Sequence, residues 1–197
     1  LSTLAGSRLE GRRIGVLREM VSTHPDDAPA KEIFERALDD IRKAGAQVLD
    51  PILTGINLRT QSSSAVSGVA DYEILSAGNV YLSRLGPNRP FKTMEEFIAK
   101  VGPDRFTERY QKALTLPSPD KSPDFEARYR SRRMIREFID DLVVRHDLDA
   151  LVLLYRSTPP AVGEPSSPGP ASSLNNLTST SGLPGVILPA GYTSRNL

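Results

Sequence analysis

The sequence predicts an α/β fold that begins with a βαβ unit, and three observations predict it. Arg13-Ile-Gly-Val-Leu17 and Ala46-Gln-Val-Leu-Asp50 are short apolar runs of the kind a buried strand shows. Between them Ile33, Ala37 and Ile41 recur every fourth residue with Phe34 and Leu38 beside them, a helical stripe whose other faces carry Lys31, Glu35, Asp39, Asp40 and Lys43. Leu148-Asp-Ala-Leu-Val-Leu-Leu-Tyr155 is almost continuously apolar, as strands are in the covered interior of a parallel or mixed sheet.

Taken in order, the first strand, the helix closed by Gly45 and the second strand should set two strands parallel through a right-handed crossover. The stretch from Leu17 to Ala30 contains no glycine, so it is not a phosphate-binding loop. Its Asp26 and Asp27 are read as caps of the helix. Residues 53–69 are polar and small and read as a surface loop, because no general base or rigid turn accompanies the triple serine Ser62-Ser-Ser64. Asp71 to Leu85 is a second amphipathic helix bearing Ile74, Leu75, Tyr81, Leu82 and Leu85, stopped by Gly86-Pro87.

Thr93-Met-Glu-Glu96 has the pattern of a capping box and starts a short helix to Lys100. A helix from Asp104 to Leu116 presents Phe106, Tyr110, Ala113 and Leu114. The longest helix, Asp124 to His146, carries Arg128, Arg130, Arg132, Arg133 and Arg136, but Glu126, Glu137, Asp140 and Asp141 nearly cancel them, which makes a salt-bridged solvent face rather than a nucleic-acid stripe. Its buried side is expected to hold Tyr129, Met134, Ile135, Phe138, Ile139, Leu142 and Val143. Five prolines between Arg156 and Ala171 make residues 156–172 a second loop. Ser172 or Ser173 then caps a short helix through Thr180, and Val186 to Leu188 reads as a last buried strand.

Composition narrows the chemistry. The 197 residues hold 25 Lys plus Arg against 24 Asp plus Glu, no Cys and two His, His24 and His146. Disulfides, thiolate zinc sites, iron–sulfur clusters and a cysteine nucleophile are excluded, a His-based metal site is disfavoured, and no cofactor is expected. A net charge of +1 gives no global attraction to nucleic acid or anionic membrane, and no apolar run is long enough to cross a bilayer. The first eight residues lack the charged and apolar regions of a signal peptide, which points to a cytoplasmic location. The chain begins at Leu1 rather than Met, and the expectation is a processed, truncated or excised polypeptide.

The order of these pieces resembles the C-terminal half of an amidase signature family enzyme. Four places carry the likeness: Gly11-Arg-Arg-Ile-Gly-Val-Leu-Arg-Glu19 followed by Ala44-Gly-Ala-Gln-Val-Leu-Asp-Pro51; Asp71-Tyr-Glu leading to Asn79-Val-Tyr-Leu82; Leu148-Asp-Ala-Leu-Val-Leu153; and Ser173-Leu-Asn-Asn-Leu-Thr-Ser-Thr-Ser-Gly-Leu-Pro-Gly-Val-Ile-Leu-Pro-Ala-Gly191. The resemblance implies part of a mixed-sheet fold with helices on both faces and acyl transfer from amides by a nucleophilic serine, a cis-serine and a lysine. In that family all three lie in the N-terminal half, with the Gly/Ser-rich loop that holds the oxyanion. Gln61-Ser-Ser-Ser-Ala-Val-Ser-Gly68 does not match that loop, so no catalytic residue is assigned to this chain.

What the resemblance does carry over is a pocket wall. The short helix before Gly-Leu-Pro turns one face to the acyl cavity in the family, which implies substrate contacts for Asn175 and Thr178, and the exit of the preceding strand adds Tyr155. Asn176-Leu-Thr178 is formally a glycosylation sequon, but the helix is expected to be buried. The implied partners are an N-terminal amidase core, on the same or a separate chain, and a small amide substrate, with a homodimer as a further assembly and neither nucleic acid nor membrane. Alternatives from other classes are a noncatalytic α/β binding module and a subunit of a tRNA-dependent amidotransferase. Strands apolar on both faces are expected to make the isolated piece prone to aggregate.

Overall fold

A computed structural model describes residues 8–21, 25–66, 68–155 and 177–192. Among them the chain forms a small parallel sheet and many helices, in two compact units: residues 1–63 with 135–197, and residues 64–134. No helix among the described residues is long and apolar enough to cross a membrane.

The first unit holds the expected βαβ unit and one further strand. Strand β1 (Arg13–Val16) is central, flanked by β2 (Gln47–Leu49) and β3 (Ala150–Val152), both parallel to it. Helix α1 (Ala28–Lys43) crosses from β1 to β2 and covers one face, where Phe34 and Leu38 meet Val16 and Val21, with Ile41, Val48, Val152 and Leu154 around them. Burying a side chain of this kind is worth about 1.5–3 kcal/mol. On the other face the strand must be glycine. A β-carbon on Gly15 would lie 2.7 Å from Leu148, 2.8 Å from Ile52 and 3.0 Å from Leu151.

Helix α1 ends as its sequence dictates. Gly45, with φ +98°, donates to Arg42 O at 3.0 Å, and Ala46 N donates to Ile41 O at 3.3 Å, the paired bonds of a Schellman cap. Its start differs from expectation. Asp27 occupies the N-cap position, buried, without a side-chain capping bond, because the chain enters α1 through the 3-10 turn Pro25–Asp27 and the residue is itself helical (φ −88°, ψ 0°) rather than extended.

The expected loop at 53–69 is also corrected, since helix α2 (Leu58–Val66) forms there. Asn57 Oδ1 accepts from Thr60 N at 3.0 Å, and Leu58, Ser62 and Ala65 are buried at helical spacing. Packing of that small-residue stripe and the Asn57 cap outweigh the poor helix propensity of the serines.

In the second unit helix α3 (Val69–Arg84) is the hub for α4 (Met94–Val101) and α5 (Glu108–Ala113). Buried Asp71 accepts from Arg109 at 2.6 Å and Lys112 at 3.2 Å, and Asn79 Oδ1 accepts from Met94 N at 2.6 Å. The capping box is present in a shifted form: Thr93 accepts from Glu96 N at 3.1 Å, while Glu96 reaches back to Lys92 N at 2.8 Å. Phe91, Phe97, Phe106 and Tyr110 form a chain of rings 4.9–5.5 Å apart. Tyr81 and Leu85, expected on the apolar stripe of α3, are exposed instead: Tyr81 lies ~100° round the helix from the packed face bearing Asp71 and Leu82, and Leu85 is the C-cap, past the last helical residue.

Helix α6 (Pro123–Arg145) begins with Ser122 Oγ accepting from Phe125 N at 3.1 Å. The salt-bridged face is as expected, with Asp124–Arg128, Glu126–Arg130, Arg136–Asp140 and Asp141–Arg145 pairs one turn apart. Ile135, Ile139 and Leu142 are buried, whereas Tyr129 and Met134, expected inside, are exposed because they fall off that stripe. Asp147, at φ +51°, turns the chain, with Leu148 N donating to Val143 O at 2.9 Å. Asp149 then sets the register of β3, accepting from Arg13 N and from Arg12 at 2.8 Å each.

Helix α7 (Leu177–Ser181) is half-buried rather than buried: Leu177, Thr180 and Ser181 face inward, and Thr178 and Ser179 face outward. The proposed caps Ser172 and Ser173, and the Pro-rich stretch, lie outside the described residues. Val186–Leu188 forms no buried strand. It joins no ladder among the described residues, and its three side chains are 83%, 66% and 75% exposed.

Candidate functional site

Three parallel strands end on one edge of the sheet in the first unit. The order β2-β1-β3 means that the chain moves to one side of β1 and then to the other, so the carboxyl ends of β1 and β3 mark a topological switch point, where open α/β sheets bind ligands. Leu17 N donates to Val152 O at 3.1 Å, extending the β1–β3 pairing to this edge, and Ile52 N donates to Val16 O at 2.9 Å on the other side.

A charged cluster sits there. Arg18 follows β1 and Asp50 follows β2, and Arg18 donates to both carboxylate oxygens of Asp50 from Nε and Nη2, each at 2.6 Å. Its Nη2 also donates to Glu35 of α1 at 2.9 Å, its Nη1 donates to the same carboxylate, and Arg42 donates to Asp50 at 3.1 Å. The guanidinium lies 5.8 Å from the Phe34 ring centroid.

Hydrogen bonds from Arg18 hold the carboxyls of Asp50 and Glu35 below their ordinary range, against an opposing push from burial. Bonds to Asp50 first and Glu35 second raise the guanidinium in turn. Both carboxylates and the guanidinium are thereby favoured in their charged forms, and the cluster ties the ends of β1 and β2 to helix α1.

Tyr155 lies three residues beyond β3 on this same edge and is 39% exposed. Thr178 is on the outward face of α7, its carbonyl accepting from Gly182 N at 2.8 Å. The helix under it is pinned by Thr180 Oγ1 donating to Ser62 O at 3.0 Å, and by Ser181 Oγ donating to Leu177 O at 2.7 Å while accepting from Leu183 N at 3.2 Å. No hydrogen bond or ring contact joins Tyr155 to Thr178 among the described residues, and Asn175 lies outside them. No group of three His, Asp or Glu side chains able to hold a metal occurs among the described residues.

Arg18, Glu35 and Asp50 were not singled out from the sequence. Their signal was a charged residue within two positions of the end of each of two parallel strands, with an acidic residue about two turns into the crossover helix.

No protein-family model matches the sequence, and no curated protein matches it. Solved structures do match. An amidase family protein from Bacillus anthracis str. Ames superposes with a TM-score of 0.64 and 23% identity over 95% of this chain and 33% of its own. The native peptide amidase from Stenotrophomonas maltophilia gives 0.62 and 21% over 88% of this chain and 35% of its own. A peptide amidase in complex with the competitive inhibitor chymostatin gives 0.54 and 22% over 74% and 30%. The chain therefore has the fold of amidase proteins over about a third of their length.

Proposed function

We propose that this chain is the C-terminal part of a serine-dependent amidase, supplying scaffold and one wall of the substrate cavity to a catalytic core that carries the nucleophilic serine, the cis-serine and the lysine. The observation that carries the reading is the fold likeness: nearly the whole chain superposes on amidases that are about three times as long.

The division of labour has a physical basis. Amide acyl transfer needs an activated hydroxyl and amide donors aimed at the oxyanion. The charged groups at the sheet edge are locked to one another, so they hold geometry while the reaction belongs to the core. Tyr155, Thr178 and Asn175 are the residues we propose to touch substrate, as orienting contacts rather than reacting groups. Support for Tyr155 is its exposed position at the switch-point edge, and for Thr178 its outward face on a pinned helix.

The test is amide hydrolysis by the purified chain, alone and together with a complementary amidase core. The expected result is no turnover alone and turnover in the complex that a serine-directed inhibitor abolishes. Serine-dependent turnover by the chain alone overturns the proposal.

A further inference from the structure

The two branches of Thr178 on α7 are not equivalent. A β-carbon on Gly185 would lie 2.8 Å from the Thr178 methyl and 3.6 Å from its Cβ, with no further atom of the described residues within 4 Å beyond its chain neighbours. The methyl is therefore turned toward Gly185 and the hydroxyl away from it. Thr178 is exposed, and among the described residues its hydroxyl makes no hydrogen bond. Gly185 is not one of the glycines with positive φ, so its backbone does not call for glycine, and the closeness of Thr178 does.

A threonine inside a helix ordinarily divides between two χ1 rotamers. Here the helix and the turn after it are fixed against each other, which holds the contact in place. Thr180 Oγ1 donates to Ser62 O at 3.0 Å, Ser181 Oγ accepts from Leu183 N at 3.2 Å, and Arg136 Nη1 donates to Gly182 O at 3.3 Å. Rotating Thr178 to another χ1 well lifts the methyl off Gly185 and swings the hydroxyl by about 120°.

We infer that Gly185 is a positioning residue: it seats the Thr178 methyl and so presets the Thr178 hydroxyl as a hydrogen-bonding group for the bound amide. The inference rests on the proposed contact of Thr178 with substrate. A hydroxyl both donates and accepts, so it matches either the carbonyl or the N–H of an amide. Because its direction is set before the substrate arrives, binding does not spend the entropy of choosing a rotamer.

The experiment is a double-mutant cycle on amide hydrolysis by the assembled enzyme, with Gly185→Ala, Thr178→Ser, their combination, and Thr178→Ala. Gly185→Ala drives a methyl into the Thr178 methyl and should raise KM by roughly 2- to 10-fold with kcat nearly unchanged, as Thr178→Ala does. Thr178→Ser keeps the hydroxyl and removes the methyl that collides. Added to Gly185→Ala, it should bring KM back to the value of Thr178→Ser alone, a rescue that general loosening of α7 would not give. Three-bond couplings to a labelled Thr178 methyl in the natural enzyme should report one χ1 rotamer, which needs no variant to fold. Averaging over rotamers, a Gly185→Ala enzyme with unchanged KM, or a combination no better than Gly185→Ala overturns the positioning role. If Thr178→Ala raises KM in the same series, the substrate contact still stands. An unchanged KM in Thr178→Ala removes the substrate contact and the inference with it.

Discussion

Arg18 and Asp50 occupy equivalent places, each the first charged residue past a parallel strand, and the Arg18 guanidinium grips the Asp50 carboxylate through two bonds of 2.6 Å. The pair ties the exits of β1 and β2 together at the edge where Tyr155 emerges. Only 13% of the Asp50 side chain is exposed, so solvent screens the pair weakly.

Arg18→Met should therefore lower stability by about 1.5–3 kcal/mol at neutral pH, the range for charge-assisted hydrogen bonds. Because Asp50 is held below its ordinary value, its contribution is complete above about pH 4 and is lost as the pH falls through the depressed value. Urea midpoints measured from pH 7 down to pH 2.5 should fall steeply in the natural chain and less steeply in Arg18→Met. Parallel curves would remove the pair from the account.

Gly15→Ala should cost about 1–3 kcal/mol, since the new methyl meets Leu148, Ile52 and Leu151 from three directions at 3.0 Å or less. Gly86→Ala is the control, with nothing within 4 Å of the added carbon. Thermal melts should separate the two by several degrees, and equal melting temperatures would contradict the packing of the sheet's second face.

Thr180→Val should loosen α7 by removing the hydroxyl that donates to Ser62 O, at a cost of about 1–3 kcal/mol for the buried carbonyl left behind. Thr180→Ser keeps the donor and should recover much of the loss. Exchange rates across Leu177–Ser181 report the difference directly, and a Val variant as protected as the natural chain would show that the bond is dispensable.

In the assembled enzyme, Tyr155→Ala and Thr178→Ala should each raise KM by roughly 2- to 10-fold with little change in kcat, the pattern of lost uniform binding. A fall in kcat with KM unchanged would instead assign them to the transition state.

The elements legible in the sequence were those whose signal is local. The Ile33–Ile41 stripe, Gly45 and the two apolar runs gave the βαβ unit, and Thr93-Met-Glu-Glu96 gave the start of α4, because caps and periodicity act within a turn or two. Helix α2 was hidden because Leu58, Ser62 and Ala65 become a stripe only when tertiary packing buries them. The Arg18–Glu35–Asp50 cluster spans 32 residues of sequence and exists only once the strands are side by side. Val186–Leu188 reads as a strand and joins no ladder among the described residues, since a ladder depends on a partner that no local pattern supplies.

The most direct measurement is native mass spectrometry, paired with a denatured mass, of this polypeptide isolated from the cells that make it. The account expects the 21.5 kDa sequence within a larger species, either a longer polypeptide or a complex with a second chain bearing the catalytic serines and lysine. A lone, monodisperse 21.5 kDa species that unfolds cooperatively would contradict it and leave a binding module in place of an amidase.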